Sequence, residues 1–241
     1  MEPREYERLA ASEDAMWWFR GLHANLIAAW RAAGGGGNVF LDAGCGTGGF
    51  LKRLRAEAPG AFRCGVDLDM GAARMAQARS GAAIAAGSVT QLPFAAGAFD
   101  VVFSADVLCH RGVGANAALA EFRRCLKPGG VIVLNLPAYR WLFSAHDRAV
   151  DNVRRFGADE VRDALAAAGF ARIRVAHWNS ILFPLMVLRR KILPGGASDV
   201  EILPAPVERF FFACVAVEAA LAAGGWALPF GGSILASAVK P

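Results

Sequence analysis

Short apolar runs recur along the chain, and segments with helical spacing separate them. Residues 49–58 and residues 115–126 each place their apolar positions on one helical face. Strands that alternate with helices of this length predict a parallel sheet that is covered on both faces. The predicted strands of this first part are residues 39–44, 62–68, 82–86, 99–105 and 130–136.

The pattern is less regular in the last third of the chain. After a further helix and strand, about fifty residues precede the last predicted strand, far more than an ordinary loop contains. Two apolar segments of helical length lie within them, so a helical insertion is predicted between the sixth and seventh strands. The predicted strands are residues 172–178 and 233–239, and the predicted helices are residues 158–170, 181–192 and 206–223.

Charge and cysteine content exclude several classes of protein. The net charge is +5, but Lys and Arg are spread along the chain, so no nucleic-acid partner is expected. The five cysteines lack C-x-x-C spacing, which predicts a reducing cytoplasm and neither a disulfide framework nor a metal site. The N-terminal residues lack the apolar core of a signal peptide, and glycines and Pro229 interrupt the uncharged stretch after Glu218. We therefore expect a cytoplasmic protein without a transmembrane helix.

The first predicted strand runs into a glycine-rich sequence, LDAGCGTGGF, at residues 41–50. Glycine permits a turn with positive φ and lets a ligand approach the backbone closely. The second strand ends at Asp67, about twenty residues beyond the loop, where a carboxylate can accept hydrogen bonds from two ribose hydroxyls. Gly44, Gly46 and Gly49 also satisfy the G-x-G-x-x-G dinucleotide pattern, so a nucleotide-dependent oxidoreductase stays open as an alternative.

Four motifs, taken in order, resemble the class I S-adenosylmethionine-dependent methyltransferases. VFLDAGCGTGGFL resembles that family's first motif, and GVDLDM resembles its ribose-binding acidic motif. GSVTQLPFAAGAFDVVFSADVLCH resembles the adenine-binding region and fourth strand, and LKPGGVIVLNLP resembles the fifth strand. The resemblance implies an α/β, Rossmann-like, doubly wound sheet of seven strands, mostly parallel with an antiparallel last strand. It also implies S-adenosyl-L-methionine as the cofactor.

The resemblance assigns cofactor contacts to residues of this chain. The glycine loop would line the methionine part, Asp67 would hold the ribose, and Leu68 and Met70 would enclose the adenine. Related enzymes usually carry an aspartate after the glycine that follows the third strand, and Ser88 stands there in this chain. The predicted cofactor-binding residues are Trp18, Arg20, Asp42, Ala43, Gly44, Cys45, Gly46, Gly48, Asp67, Leu68, Met70, Ser88, Val89 and Ser104.

The N-terminal sequence MWWFR, residues 16–20, resembles a subgroup of this family in which His usually stands at the position of Met16. Trp18 and its neighbour would then cover the cofactor, and Arg20 would pair with its carboxylate. Packing of the two tryptophans between a helix and the sheet is an equally good interpretation.

The length of 241 residues suits a single methyltransferase domain. We divide it into an N-terminal helical cap, a nucleotide-binding core, a helical insertion and a last strand. These parts are expected at residues 1–37, 38–178, 179–231 and 232–241.

Methyl transfer from a sulfonium mainly requires proximity, alignment and desolvation of the acceptor, so no fixed catalytic triad is expected. Ligands of open α/β sheets bind beyond the carboxyl ends of the strands. Asp106, His110 and His146 follow the fourth and fifth predicted strands and are the candidate catalytic residues. Each histidine suits a structural role as well. The acceptor is predicted to be a small molecule or a lipid-like compound, and a cofactor-binding scaffold without catalysis is a further alternative.

The insertion combines apolar and basic residues. Its first apolar stretch ends in Arg189, Arg190 and Lys191, and its second helix contains three consecutive phenylalanines at residues 210–212. This pattern suits peripheral contact with the inner face of a membrane through residues 181–223. It equally suits a substrate lid, a homodimer contact or ordinary core packing.

Overall fold

The computed structural model describes residues 3–192, 202–223 and 228–241. Seven strands form one sheet: β1 (Val39–Ala43), β2 (Phe62–Asp67), β3 (Ala83–Ala86), β4 (Phe99–Ala105), β5 (Leu126–Pro137), β6 (Ala171–Trp178) and β7 (Ser233–Val239). Their order is β3-β2-β1-β4-β5-β7-β6. β7 is antiparallel to β5 and β6, and the remaining pairs are parallel. This is the sheet that the resemblance implied.

Helices cover both faces of the sheet. They are α1 (Pro3–Ala15), α2 (Trp17–Ala32), α3 (Gly49–Glu57), α4 (Met70–Ser80), α5 (Ala115–Cys125), α6 (Ala145–Ala149), α7 (Ala158–Ala167), α8 (Phe183–Val187) and α9 (Ala205–Ala223). α2, α3 and α4 contribute Leu26, Leu51 and Ala76 to the buried cluster on one face. α5 and α7 contribute Phe122 and Leu165 to the cluster on the other face.

β5 begins four residues earlier than the apolar pattern predicted. Phe99 pairs with Leu126 and Val101 pairs with Val131, so a bulge lies between these two pairs. A Cβ at Gly130 would lie 2.8 Å from the Lys127 carbonyl oxygen. Because only glycine fits this close approach, the residues before the predicted start of the strand form a bulge within it.

The predicted insertion lies between β6 and β7. α8 continues into a π-helical turn at Leu188–Ile192, so a helical segment is found where residues 181–192 were predicted to be helical. α9 packs against α2, and the Glu208 Oε2 accepts a hydrogen bond from the Trp17 N–H at 2.5 Å. The glycine pair at 224–225, predicted to end this helix, lies outside the described residues. Within the described ranges, no helix has the length and apolar character needed to cross a bilayer.

The carboxyl ends of the parallel strands meet at one edge of the sheet. Asp67, Asp106 and Ala138 lie at or just after the ends of β2, β4 and β5. β7 begins at this edge, because Ser233 pairs with both Pro137 and Trp178. Every candidate group that follows a strand therefore lies along this carboxyl edge.

Candidate functional site

The glycine loop, residues 44–49, leaves the end of β1 and turns directly into α3. Gly44, Gly46 and Gly48 have positive φ values of 85°, 52° and 85°. A Cβ at Gly44 would overlap the side chain of Val107, and one at Gly48 would lie 2.7 Å from the Ala76 Cα. Gly44 and Gly48 are therefore required both for backbone conformation and for space.

Asp67 lies beside this loop. Its Oδ2 accepts a hydrogen bond from the Gly46 N–H at 2.8 Å, and its Oδ1 accepts one from the Asp69 N–H at 3.0 Å. Burial raises the pKa of the Asp67 carboxyl above its ordinary value. Leu68 and Met70 expose 77% and 59% of their surface next to it. A carboxylate between a glycine loop and exposed apolar side chains suits a nucleoside, whose ribose is polar and whose base is flat and apolar.

Buried groups form the floor of the glycine loop. The Ser104 hydroxyl donates a hydrogen bond to the Ala43 carbonyl oxygen at 2.8 Å, which joins the ends of β4 and β1. Cys45 is buried next to them. Burial, followed by the charges of Glu13 and Asp67, raises the pKa of the buried Asp42 to about 8. Asp42 therefore holds a proton near neutral pH and Glu13 is paired with Arg79, so Asp67 is the carboxyl group here that suits a ligand with positive charge, such as a sulfonium with an ammonium group.

α1 holds the loop through a clamp that the sequence analysis missed. The Glu13 Oε2 accepts hydrogen bonds from the Gly49 N–H at 3.0 Å and from the Thr47 hydroxyl at 2.5 Å. The same oxygen lies 2.7 Å from Arg79 of α4, whose guanidinium also donates to the Thr47 and Ala10 carbonyl oxygens. No sequence motif predicts this contact, because the residues that form it lie in three separate helices and a loop.

Ser88 and Val89 follow β3 at the same edge. The Gly87 N–H donates to the Asp67 carbonyl oxygen at 2.9 Å, which holds this segment beside β2. The Ser88 hydroxyl lies 2.8 Å from the Thr90 hydroxyl and accepts a hydrogen bond from the Thr90 N–H, while Val89 is buried. Ser88 is thus held in a local turn, and its contact with an adenine amino group stays a prediction.

Trp18 and Arg20 contact protein groups in this structure. The Trp18 ring centroid lies 6.1 Å from that of Trp178, at the end of β6. The Arg20 guanidinium lies 3.8 Å from the centroid of the Phe212 ring in α9. These contacts match the helix-packing interpretation of the aromatic pair. The ion pair of Arg20 with a cofactor carboxylate stays a prediction, and it requires Arg20 to leave Phe212.

A hydrogen-bonded chain of three side chains reaches the end of β4. The Trp178 Nε1–H donates to the Asn135 Oδ1 at 2.7 Å, and the Asn135 Nδ2–H donates to the Asp106 Oδ2 at 3.0 Å. Burial raises the pKa of Asp106 to about 7, although Asn135 and the charge of Arg155 act in the opposite direction. Asp106 also has φ 54°, which is uncommon outside glycine. Asp106 is thus hydrogen-bonded to a side chain, and its catalytic role stays a prediction. The sequence analysis missed this contact, whose signal was a lone polar residue, Asn135, within an apolar strand.

The two histidine candidates occupy different surroundings. His110 is half-buried after β4, and its charge lowers the pKa of Asp67, so it lies on the nucleoside side of the edge. His146 is half-buried in α6 beside Asp147. Asp147 is fully buried and its Oδ1 lies 2.8 Å from the Arg155 Nε, an ion pair that anchors α6. A catalytic role for either histidine stays a prediction.

An aromatic cluster, composed of Tyr139, Trp141, Phe183 and Phe230, lies beyond the ends of β5 and β6. The Tyr139 ring stacks on His177 at a centroid distance of 5.4 Å and lies 5.4 Å from Phe183. Phe183 in turn lies 6.2 Å from Trp141 and 5.7 Å from Phe230. The cluster forms an apolar wall beyond the ends of β5 and β6.

Comparisons with known proteins agree with this site. A family model described as a methyltransferase domain matches residues 41–134. A malonyl-[acyl-carrier protein] O-methyltransferase of Herminiimonas arsenicoxydans is 34% identical over 206 residues, which cover 80% of this chain and 76% of that protein. A 24-methylenesterol C-methyltransferase of Oryza sativa subsp. japonica is 23% identical over 68% of this chain and 55% of its own length. A solved SAM-dependent methyltransferase of Thermotoga maritima has a TM-score of 0.63 at 20% identity and covers 99% of this chain and 96% of its own.

Proposed function

Because this chain belongs to the class I S-adenosylmethionine-dependent methyltransferase family, we propose that it methylates an amphiphilic acceptor with a small polar head and an apolar chain. The enzyme class and the cofactor, S-adenosyl-L-methionine, follow from the family. Two kinds of molecule have the proposed chemistry, an acyl chain on a carrier protein and a lipid.

The observation that carries this proposal is the contrast between the two ends of the carboxyl edge. At one end, the glycine loop and Asp67 suit a nucleoside with positive charge. At the other end, which is the proposed acceptor end, Asp106 is held by Asn135, and the aromatic cluster lies beyond the ends of β5 and β6. One relative is named for an acyl group on a carrier protein and another for a sterol, and both names fit an acceptor with an apolar part.

The chain's own residues would perform two tasks in the reaction. Asp106 would accept the proton of an acceptor hydroxyl or amine, since a carboxyl with a pKa of about 7 is well matched to that role near neutral pH. Asn135 would hold the carboxylate in one orientation, and the Trp178 N–H fixes the Asn135 amide in turn. S-adenosylmethionine, when bound, supplies a methyl group that is already activated for in-line displacement.

Transfer of a labelled methyl group tests the acceptor class. The purified protein is incubated with methyl-labelled S-adenosylmethionine and, in separate reactions, a carrier-bound acyl thioester, a bacterial lipid extract and a mixture of water-soluble metabolites. We expect label in the protein fraction of the first reaction or in the organic phase of the second. Label found only in the water-soluble mixture would contradict an amphiphilic acceptor.

A matched pair of variants separates the role of Asp106 from a general effect of lost charge. Asp106→Asn should abolish most of the transfer. Asp151→Asn, which removes an exposed carboxylate whose ion pair joins Arg111, should leave transfer unchanged. Equal activity of the two variants would remove Asp106 from the proposal.

A further inference from the structure

The helical insertion exposes most of the large apolar side chains that are exposed in the described residues. In the turn before α8, on α8 and on its π-helical turn, four of them are separated by four, three and four positions, a spacing typical of one helical stripe. Their exposed fractions run from 39% to 66%. The stripe consists of Ile181, Leu185, Leu188 and Ile192.

The acidic side chains of this insertion face inward. Within the part of the insertion that the structure describes, Glu208 and Glu218 are the acidic residues, and both are buried. Glu208 accepts hydrogen bonds from the Trp17 and Leu203 N–H groups. Glu218 accepts two from the backbone at residues 180 and 181, at 2.8 and 2.6 Å. These carboxylates therefore serve internal packing, and the described outer face carries no exposed acid.

Basic side chains accompany the apolar stripe. Arg189 and Lys191 are exposed on the π-helical turn. The Lys191 Nζ donates to the Phe143 carbonyl oxygen at 3.0 Å, and the Arg148 guanidinium lies 5.9 Å from the Phe143 ring centroid. Arg140 is exposed on the segment between β5 and α6, but its charge is paired, since its guanidinium lies 2.9 Å from the Glu160 carboxylate. Positive charge thus borders the stripe on the side of the aromatic cluster.

The aromatic cluster lies between the stripe and the carboxyl edge of the sheet. Trp141 and Phe230 expose 54% and 43% of their surface, whereas Tyr139 and Phe183 are half-buried between them and the strand ends. An apolar path therefore runs from the stripe toward Asp106.

We propose that the stripe and its basic border bind the surface of an anionic lipid bilayer. Apolar side chains that enter the headgroup region and basic side chains that contact anionic headgroups are the two features of an interfacial helix. A second copy of the chain would match the apolar stripe but would bring like charges together. This inference goes beyond the proposed function and does not depend on turnover, because vesicle binding is measured without an acceptor.

Co-sedimentation with vesicles tests the inference. The protein is mixed with vesicles of phosphatidylcholine alone and of phosphatidylcholine with phosphatidylglycerol, at low and high ionic strength. We expect binding to the vesicles that contain phosphatidylglycerol, little binding to phosphatidylcholine, and weaker binding at high salt. No sedimentation with anionic vesicles would overturn the proposal.

Paired variants identify the surface. Leu185→Glu with Ile192→Glu should weaken binding to anionic vesicles by about tenfold or more, and Arg189→Gln with Lys191→Gln should reduce its salt dependence. Phe62→Glu is the matched control, because Phe62 is 57% exposed at the amino end of β2, on the opposite edge of the sheet. Unchanged thermal unfolding shows that each variant folds. Equal binding by the double glutamate variant, or a wild-type dimer that this variant dissociates without any vesicle binding, would overturn the assignment.

Discussion

At the scale of single residues, the proposed role of Asp106 depends on the groups that surround its carboxyl. A half-buried carboxyl that accepts one hydrogen bond from Asn135 stays protonated to a higher pH than an exposed aspartate. Arg155 stabilises the charged form, and Asp147 disfavours it. The balance of these groups sets the pH at which the Asp106 carboxyl loses its proton.

The first prediction concerns the pH dependence of methyl transfer. Because only the ionised carboxylate accepts a proton, kcat/KM, which reports the ionisation of the free enzyme, should rise with pH and level off above about 7. Asp106→Asn should lower kcat by about 10²- to 10⁴-fold and remove the rise. Steady-state rates between pH 5 and 9 measure this, and a pH-independent wild-type rate would contradict it.

The second prediction tests Asn135 as a positioning residue. Asn135→Leu removes the donor that favours the charged carboxylate, so the rising limb should move to higher pH, with kcat affected more than KM. Trp178→Phe retains the Asn135 amide and should give a smaller shift. Identical pH profiles for Asn135→Leu and the wild type would show that the hydrogen bond has no role in catalysis.

The third prediction concerns stability and Asp42. Its pKa of about 8 lies far above the ordinary 3.8, so the folded protein holds a proton that the unfolded chain has lost. The unfolding free energy should therefore fall as pH rises toward 8. His23, whose pKa burial lowers from 6.5 to about 4, acts oppositely, but its contribution is complete above about pH 6.5.

Urea unfolding between pH 6.5 and 8 measures this effect. Asp42→Asn should flatten the decline in the unfolding free energy. Asp100→Asn is the control. The ion pair with Lys127 and the other hydrogen bonds of Asp100 lower the pKa of its carboxyl. The contribution of Asp100 to the unfolding free energy is therefore constant in this pH range. Asp106, whose pKa is raised to about 7, contributes a decline of the same sign up to about that pH, so a decline between pH 7 and 8 that is undiminished in Asp42→Asn would refute the assignment.

At the scale of elements, the glycine loop is held from two sides. Asp67 of β2 accepts the Gly46 N–H, and Glu13 of α1 accepts the Gly49 N–H. Arg79 of α4 joins the clamp, so three elements fix the conformation of one loop. The conformational entropy of the loop is therefore lost during folding, and ligand binding does not have to offset that loss.

The fourth prediction follows from this clamp. Glu13→Gln removes the charge that pairs with Arg79 and should lower the unfolding free energy by about 1–3 kcal/mol. Asp14→Asn, the neighbouring carboxylate that is 44% exposed and also contacts Arg79, should cost less than about 1 kcal/mol. Urea unfolding measures the unfolding free energy of the two variants. Equal losses of this free energy would show that the removal of surface charge, and not of the clamp, causes the destabilisation.

The elements themselves could largely be predicted from the sequence. The sequence pattern located all seven strands. The central strands are apolar because they are buried on both faces, whereas the edge strands β3 and β6 are mostly exposed or half-buried. The early start of β5 was missed, because its first residues include Lys127, Pro128 and two glycines, which interrupt the apolar run. The clamp of Glu13 and Arg79 and the chain from Trp178 to Asp106 could not be found in this way, because each joins side chains that are distant in the sequence and leaves no local pattern.

At the scale of the whole molecule, the proposed cofactor site and the proposed acceptor site lie at different ends of the carboxyl edge. The nucleoside end is built by the amino-terminal half of the sheet, and the acceptor end is bordered by the insertion between β6 and β7. In the proposed arrangement, the insertion holds the acceptor end near a bilayer while the nucleoside end stays in water. Binding of cofactor and binding of vesicles should therefore be separable by mutation.

Calorimetric titration with S-adenosylhomocysteine tests the cofactor site most directly. The wild type and Phe62→Glu should bind with similar affinity, and Asp67→Ala should bind at least about tenfold more weakly, because it lacks the proposed ribose acceptor. Thermal unfolding checks that Asp67→Ala remains folded. Absence of binding to the wild type, or equal affinity of Asp67→Ala, would contradict the placement of the cofactor between the glycine loop and Asp67.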